Sequence, residues 1–423
     1  MTNTALPLPP TDHPVTFPAT RAAAMDRLAR FVPKAGRTYA AERNADLPGH
    51  PFVSVLSPYI RHRTLTEAEV AQAVLAKYAP STAEKFLQEV VWRTYFKGWL
   101  ERRPGIWRDY QRGLMQARNR LATEAGLRTN WEEACGGQTG IAPFDHWAKQ
   151  LVAEGYLHNH ARMWFASIWM HTLRLPWELG ADFFLRHLLD GDPASNTLSW
   201  RWVGGLHTRG RVYRARASNI AKFSDGRWDP ETLGHQLARE DQVHPLEGPE
   251  HPAPKAVPDD AHWQGGAKTG LLLTEDELSP DFLFARGLRP DGAAILTRVS
   301  GRSPLKVAPM VHRFTESLAQ DAGTRLARHC PVGPVTDDPD AIRAWAEDGA
   351  FDQIVVPYPP VGPGQDAVNA LAKDLSCPVI RPLRAWDQAA WPAATAGFFK
   401  VKSRIPTILD SIAEDTNTQD IAV

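Results

Sequence analysis

The segment that decides the fold prediction begins Gly-Tyr-Leu-His-Asn-His-Ala-Arg-Met (155–163) and ends Leu-Leu-Asp-Gly-Asp-Pro-Ala-Ser-Asn-Thr-Leu-Ser-Trp-Arg-Trp (188–202). Its first half predicts a long helix that carries His158, Asn159 and Arg162 among large apolar residues. Its second half places two carboxylates, an amide and two indoles close together in the chain. Buried polar groups need partners, and a flat polar ligand would supply them.

The composition limits the class of protein. The 423 residues leave room for two or three domains. The 48 acidic and 48 basic residues balance, which argues against nucleic-acid binding by bulk charge but permits a local basic groove. Three cysteines without a close pair, Cys135, Cys330 and Cys377, exclude a disulfide framework and a four-cysteine metal site made by this chain alone.

The hydropathy pattern predicts a protein of the cytoplasm. No apolar run reaches the ~20 residues that a membrane-spanning helix needs. Residues 1–18 are polar and rich in proline, unlike a signal peptide. We therefore expect no membrane partner.

Periodicity divides the chain into an all-helical part and an α/β part. The predicted units are a proline-rich arm (1–20), a helical domain (21–230), a linker (231–266), a Rossmann-like parallel α/β domain (267–400) and a tail (401–423). Predicted helices in the first part include 21–32, 67–78, 83–102, 145–175 with an interruption at Gly155, and 177–189. Predicted strands are 271–273, 293–297, 353–356 and 378–380, with helices 309–328, 340–347 and 367–375 between them.

Two clusters in the helical part have both a structural and a functional interpretation. Glu89, Trp92 and Arg93 share one helical face and would suit a flat heterocycle with an anionic group. The alternative is a solvated ion pair over a core tryptophan. Ser54 and Ser57 could donate to a phosphate, or could simply cap a loop.

The charged residues of the central segment likewise have both a structural and a ligand-binding interpretation. Arg162 can pair with Asp190 or Asp192, either as a structural salt bridge or beside an N–H of a ligand. His158 and His160 diverge on a helix, so no metal site is predicted. Trp177, Trp200 and Trp202 are either core residues or one-electron relays.

Taken together, these motifs resemble the photolyase/cryptochrome family of FAD-binding, blue-light-driven proteins. The resemblance covers residues 39–229. It rests on Gly-Gln-Thr-Gly (137–140), on the His-Asn-x-x-Arg-Met run within 155–163, and on Asp-Gly-Asp-x-Ala-x-Asn-x-x-x-Trp-x-Trp (190–202). It implies an FAD-binding helical domain.

The resemblance also implies which residues hold the cofactor, and Val53 stands where the family usually has a threonine. Asn196 matches the residue beside flavin N5, where an asparagine is typical of photolyases. The implied FAD-binding residues are Tyr39, Val53, Ser54, Val55, Leu56, Ser57, Phe86, Arg93, His158, Asn159, Arg162, Asp190, Gly191, Asp192 and Asn196.

The implied activity is that of a DNA photolyase, in which an electron from excited reduced flavin splits a pyrimidine dimer in UV-damaged DNA. The residues implied to meet the flipped lesion are Glu89, Trp92, His160, Met163 and Trp202. The implied catalytic set is Glu89, Trp92, Asn196, Trp200, Trp177 and Trp202, with Trp200 and Trp177 as the first electron relays. Trp131 and Trp107 are candidates for a third relay.

Departures from the family pattern support an alternative, a cryptochrome-like photoreceptor that binds FAD, repairs nothing and signals to another protein. Phe86 replaces a common tryptophan, and His160 replaces a common DNA-contacting arginine. The α/β part follows the helical part instead of preceding it, which suggests a circular permutation. The family's usual opening motif is not intact, so the expectation of an antenna chromophore is weak. The predicted basic rim for phosphates consists of Arg61, Arg63, Lys149, Arg201, Arg209, Arg211 and Arg214.

Overall fold

A computed structural model describes residues 15–415 of the chain. Residues 1–14 of the predicted arm and residues 416–423 of the predicted tail lie outside the described residues. The described part combines a helical region with one parallel sheet, which confirms the predicted fold class. No helix between residues 15 and 415 is long and apolar enough to cross a membrane.

Thirteen α-helices precede the sheet in the described chain. They are α1 (Arg21–Phe31), α2 (Arg37–Glu42), α3 (Ser57–Arg61), α4 (Glu67–Leu75), α5 (Glu84–Glu101), α6 (Gly105–Thr123), α7 (Ala125–Gly136), α8 (Ala142–Glu154), α9 (Asn159–Ser167), α10 (Trp177–His187), α11 (Pro193–Val203), α12 (Ala217–Phe223) and α13 (Pro230–Gln236). Local signals set several of these boundaries. Thr66 forms a capping box with Glu69 at the start of α4, and Asp192 caps α11, in which Pro193 takes the first position.

The predicted interruption at Gly155 of the helix over 145–175 is confirmed, and the break extends as far as His158. Helix α8 ends at Glu154 because Gly155 adopts a left-handed conformation with φ of +66°. The next helix starts only at Asn159, with His158 as its N-cap. The four intervening residues bring the backbone of His158 out of the helix, so its ring and the Arg162 side chain do not share a helical face.

The segment between the helical part and the sheet contains regular structure and backbone hydrogen bonds. Helix α13 falls inside the predicted linker. Farther on, the Leu246 N–H donates to Gly204 O at 2.9 Å and the Lys255 N–H donates to Arg102 O at 2.7 Å. This extended segment is therefore hydrogen-bonded along the surface of the helical part.

Five parallel strands form the sheet in the order β3-β2-β1-β4-β5. They are β1 (Thr269–Thr274), β2 (Gly292–Leu296), β3 (Val332–Thr336), β4 (Gln353–Val355) and β5 (Val379–Ile380). The helices of this part are α14 (Asp281–Ala285), α15 (Pro309–Leu326), α16 (Pro339–Gly349), α17 (Pro363–Asp374), α18 (Ala385–Ala390), α19 (Phe399–Lys402), α20 (Ile405–Asp410) and α21 (Ile412–Asp415). Strand β3 was not predicted, because Gly333 and Pro334 interrupt its apolar pattern.

The helical part and the sheet meet across buried ion pairs, which corrects the predicted basic rim. Arg61 donates to Asp276, to Glu275 at 3.2 Å and to Gly191 O at 2.9 Å. Its neighbour Arg63 is equally buried and donates to the three acids Glu67, Glu277 and Asp387.

Among the other predicted rim residues, Arg201 is also buried. Lys149, Arg209 and Arg211 are exposed, and Arg214 is half-buried. Arg61, Arg63 and Arg201 are therefore not phosphate contacts, since their side chains lie inside the protein.

Candidate functional site

A cavity of about 460 Å³ opens in the helical part between α2, α5, α9 and α11. Residues 53–57 close one side, and the loop between α10 and α11 closes another. With the exception of Trp177, every residue predicted for the site lines this cavity: Tyr39, Val53, Ser54, Val55, Leu56, Ser57, Phe86, Glu89, Trp92, Arg93, His158, Asn159, His160, Arg162, Met163, Asp190, Gly191, Asp192, Asn196, Trp200 and Trp202.

Asp190 presents an unsatisfied carboxylate oxygen to this region. Its Oδ2 accepts hydrogen bonds from Arg162 Nη2 at 2.8 Å and from the Ser57 hydroxyl. Its Oδ1 is buried and has no hydrogen-bond partner within the described protein. Since an unpaired buried carboxylate oxygen is costly, a ligand N–H at this position would be favoured.

Asp192 differs from Asp190 because its carboxylate finds its partners within the protein. It accepts from the Ser195 N–H at 2.8 Å as the cap of α11, and Arg93 Nη2 lies 3.3 Å from its Oδ2. Burial alone would raise the pKa of this carboxyl, but the nearby charges of Arg93, Lys97 and Arg61 lower it well below its usual value. Asp192 is thus an anion that anchors one end of α11 and orients Arg93.

Glu89 lies at the other side of the cavity and pairs with Arg43, which the sequence analysis missed. Burial raises the pKa of the Glu89 carboxyl, and the Arg43 charge partly offsets that rise. Arg43 follows Tyr39 by four residues, at the C-cap of α2. That spacing was a signal that Arg43 lies near Tyr39 and hence near the cavity.

Trp92 is stacked against a ring from the far end of the chain. The centroids of Trp92 and Phe398 are 3.9 Å apart with an interplanar angle of 11°. One face of the indole is therefore covered by Phe398. No local pattern in the sequence predicts this contact, because the two residues are far apart in the chain and come together only in the folded protein.

The two central histidines turn towards backbone groups. His158 Nε2 lies 3.1 Å from Arg43 O, and its Nδ1 accepts from the His160 N–H at 3.2 Å. Burial lowers the pKa of His158 to about 3, so the ring is neutral at physiological pH. His160 Nδ1 lies 2.8 Å from Asn44 O.

Trp200 and Trp177 differ in their surroundings. Trp200 lines the cavity, and its ring centroid is 5.1 Å from Phe184 and 6.2 Å from Trp169. Trp177 does not line the cavity, and its ring lies 5.6 Å from Tyr110. Tyr110 in turn lies 5.2 Å from Trp107, one of the two candidates for a third relay.

The donor and acceptor groups of the cavity fit a flavin dinucleotide. Asp190 offers a free acceptor for a ring N–H, while Arg162 and Arg93 are cations that can hold anionic groups. Ser54 and Ser57 add hydroxyls on the 53–57 side. Tyr39, Phe86 and Trp200 supply apolar surfaces for flat rings.

Comparison with known proteins agrees with this assignment. Residues 86–233 match the family model described as the FAD-binding domain of DNA photolyase. Over 170 residues the chain is 35% identical to a deoxyribodipyrimidine photo-lyase of Streptomyces griseus, covering 40% of this chain and 35% of the relative. Over 188 residues it is 32% identical to one of Alkalihalophilus pseudofirmus, covering 44% and 38%.

These matches cover parts of the proteins concerned. The chain spans between about a third and a half of the length of these curated relatives. A Synechocystis cryptochrome structure aligns with 51% of this chain and 46% of its own at 21% identity and a TM-score of 0.42, from which we draw no argument. The family model covers most of α5 and all of α9 and α11, which build the cavity, so this helical part is similar to the FAD-binding domain of DNA photolyase.

Proposed function

We propose that this protein is a DNA photolyase that splits pyrimidine dimers in UV-damaged DNA with light and FAD. One observation carries the proposal. The five residues implied to meet the lesion line the same cavity as the groups that fit the flavin: Glu89, Trp92, His160, Met163 and Trp202. A nucleotide flipped out of DNA would therefore enter next to the cofactor.

When bound, FAD would supply the light-driven electron, which is the difficult chemistry of the reaction. The protein's own residues supply binding and orientation. Arg162 and Asp190 hold one edge of the ligand site through their 2.8 Å ion pair. The Asn196 amide is fixed by donating to Ala181 O at 2.8 Å, which keeps its side chain at the cavity wall.

Glu89 is the group that we expect to hydrogen-bond the lesion. Its carboxyl is partly desolvated and its pKa is raised by burial, so it can hold a proton more readily than an exposed glutamate. Arg43 keeps the carboxyl in place. Trp92 and Trp202 would flank the flipped bases, and Phe398 would hold the Trp92 indole in one orientation.

The test is a repair assay with the purified, flavin-loaded protein on dimer-containing DNA under blue light. Glu89→Gln should lower the repair rate by roughly 100-fold or more, in line with the loss of one proton-handling group, and should keep FAD. Glu133→Gln alters an exposed glutamate of α7 that lies outside the cavity, so it is the matched control and should repair like the wild type. Wild-type protein that holds FAD but neither binds nor repairs dimers would refute the proposal.

A cryptochrome-like photoreceptor is the second candidate, and two contacts favour it. The Glu89 carboxylate already has a partner in Arg43, and one face of Trp92 is covered by Phe398. Both contacts reduce the surface of Glu89 and Trp92 that a lesion could contact. This candidate predicts light-dependent spectral changes of the flavin and light-dependent binding of a partner protein, with no loss of dimers.

A further inference from the structure

A short segment beside the cavity carries a local positive charge. Residues 391–408, which we call the rim segment, contain three cations, Lys400, Lys402 and Arg404, and no acid. The chain as a whole has a formal net charge of zero. A local charge of this sign attracts phosphate groups even on a neutral protein.

The rim segment is fixed against the helix that forms one wall of the cavity. Phe398 stacks on Trp92 and lies 5.8 Å from the Tyr95 ring in an edge-on arrangement. At the other end, Lys402 Nζ lies 3.3 Å from Glu84 Oε1. Helix α19 therefore runs along α5, on which Phe86, Glu89 and Trp92 line the cavity.

Phe399 is unusual in its exposure. Its side chain is 81% exposed, whereas the other exposed large hydrophobic residues of the described chain, Met115 and Val152, reach 46% and 39%. Consecutive Cα atoms are about 3.8 Å apart, so Phe399 lies next to the ring that covers Trp92. An exposed aromatic ring flanked by the cations Lys400 and Arg404 combines the two features that bind nucleic acid, a stacking surface and charges for the backbone.

We propose that the rim segment is a DNA-contacting element, in which Phe399 stacks on the bases left unpaired when a dimer flips into the cavity. Lys400 and Arg404 then contact the flanking phosphates. This inference rests on the proposed photolyase function. Its physical basis is that a flipped lesion leaves a gap in the base stack, which an apolar side chain outside the cavity can fill.

The experiment compares the affinities of Phe399→Ala and wild type for dimer-containing duplex and single-stranded DNA. Only a duplex offers unpaired bases opposite the lesion. Loss of one base–aromatic stack should weaken duplex binding by roughly 5- to 100-fold and leave single-strand binding nearly unchanged. Met115→Ala, which also shortens an exposed apolar side chain, is the matched control and should bind both DNAs like the wild type.

A second variant tests the cations. In Lys400→Ala/Arg404→Ala the salt dependence of duplex binding should weaken, with the slope of log K against log salt falling by about one for each lost contact. Flavin absorbance and the unfolding temperature of each variant report whether its fold is intact.

The two proposals fail in distinguishable ways. If the wild type neither binds nor repairs dimers, the photolyase proposal falls, and this inference falls with it. If the wild type repairs dimers but folded Phe399→Ala keeps full duplex affinity, or loses single-strand affinity to the same extent, only the inference is overturned.

Discussion

Two regions built from buried charges meet at residues 190–192, and they differ in whether the protein completes them. On the side of the sheet, all three guanidinium nitrogens of Arg61 donate to protein groups, including Gly191 O. On the side of the cavity, Arg162 pairs with Asp190, yet Asp190 Oδ1 is buried without a protein partner. The first region joins two parts of the fold, and the second fits a ligand.

Residue type and burial therefore do not identify a binding site by themselves. Arg63 and Arg93 have similar environments, since both lie within the fold and pair with buried acidic residues. Arg63 has an acid for each of its nitrogens, while Arg93 Nε is buried without a partner and its side chain lines the cavity. The unsatisfied atoms, rather than the charges, show which region needs a ligand.

The largest expected effect concerns the interface. Arg63→Met should lower the free energy of unfolding by about 3–5 kcal/mol, because Glu67 and Asp387 would remain buried without their cation. Urea unfolding measures the change. Arg112→Met removes an exposed arginine that pairs with Asp109 and should change stability by no more than about 0.5 kcal/mol. Wild-type stability in Arg63→Met would refute a structural role for this cluster.

The next effect concerns a carboxyl in the interface that has no cation partner. Glu101 accepts from the Val361 N–H and from Tyr358 Oη at 3.1 Å, and burial raises its pKa from 4.5 to about 7. Between these values the folded protein holds a proton that the unfolded chain releases, so stability should fall as the pH rises from about 4.5 to about 7.

The shift corresponds to about 3 kcal/mol over that window. Glu101→Gln, which cannot ionise, should flatten the decline, as measured by chemical unfolding at several pH values. A variant that loses stability with pH as steeply as the wild type would show that another group causes the decline.

A smaller effect is expected at the cavity. Asp190→Asn should weaken FAD binding by about 2 kcal/mol, since it removes the charge from a hydrogen-bond acceptor. Titration of the apoprotein with FAD measures this affinity. Asp182→Asn alters another buried aspartate, paired with Arg186 at 2.7 Å but outside the cavity, and should leave FAD affinity unchanged. Equal losses in the two variants would contradict the assignment of Asp190 to the ligand site.

The smallest effect separates stability from cofactor binding. Thr66→Ala removes the capping box of α4 and should lower the free energy of unfolding by about 1 kcal/mol. FAD affinity should be unchanged, because Thr66 supports the interface side, where Glu67 meets Arg63. A loss of FAD in this variant would show that the two regions are coupled.

Local patterns predicted much of the fold and of the cavity lining. The start of α4 at Glu67, the break at Gly155 and the strand-like apolar runs of β1, β2 and β4 depend on a few neighbouring residues. The residues 190–202 share one loop and one helix, so their gathering around a ligand follows from local geometry. Strand β3 and the start of α9 were missed, because proline, glycine and a turn disturb the periodicity there.

Short-range features were therefore enough to predict the helical domain, because its helical faces and its motifs each involve only neighbouring residues. The roles of Arg61, Arg63 and Phe398 depend instead on long-range contacts. Their partners lie in the other part of the chain, at Asp276, at Asp387 and at Trp92 respectively. The role of a charged or aromatic side chain depends on the group that it contacts. For these three residues, that contact forms only when the sheet packs against the helices.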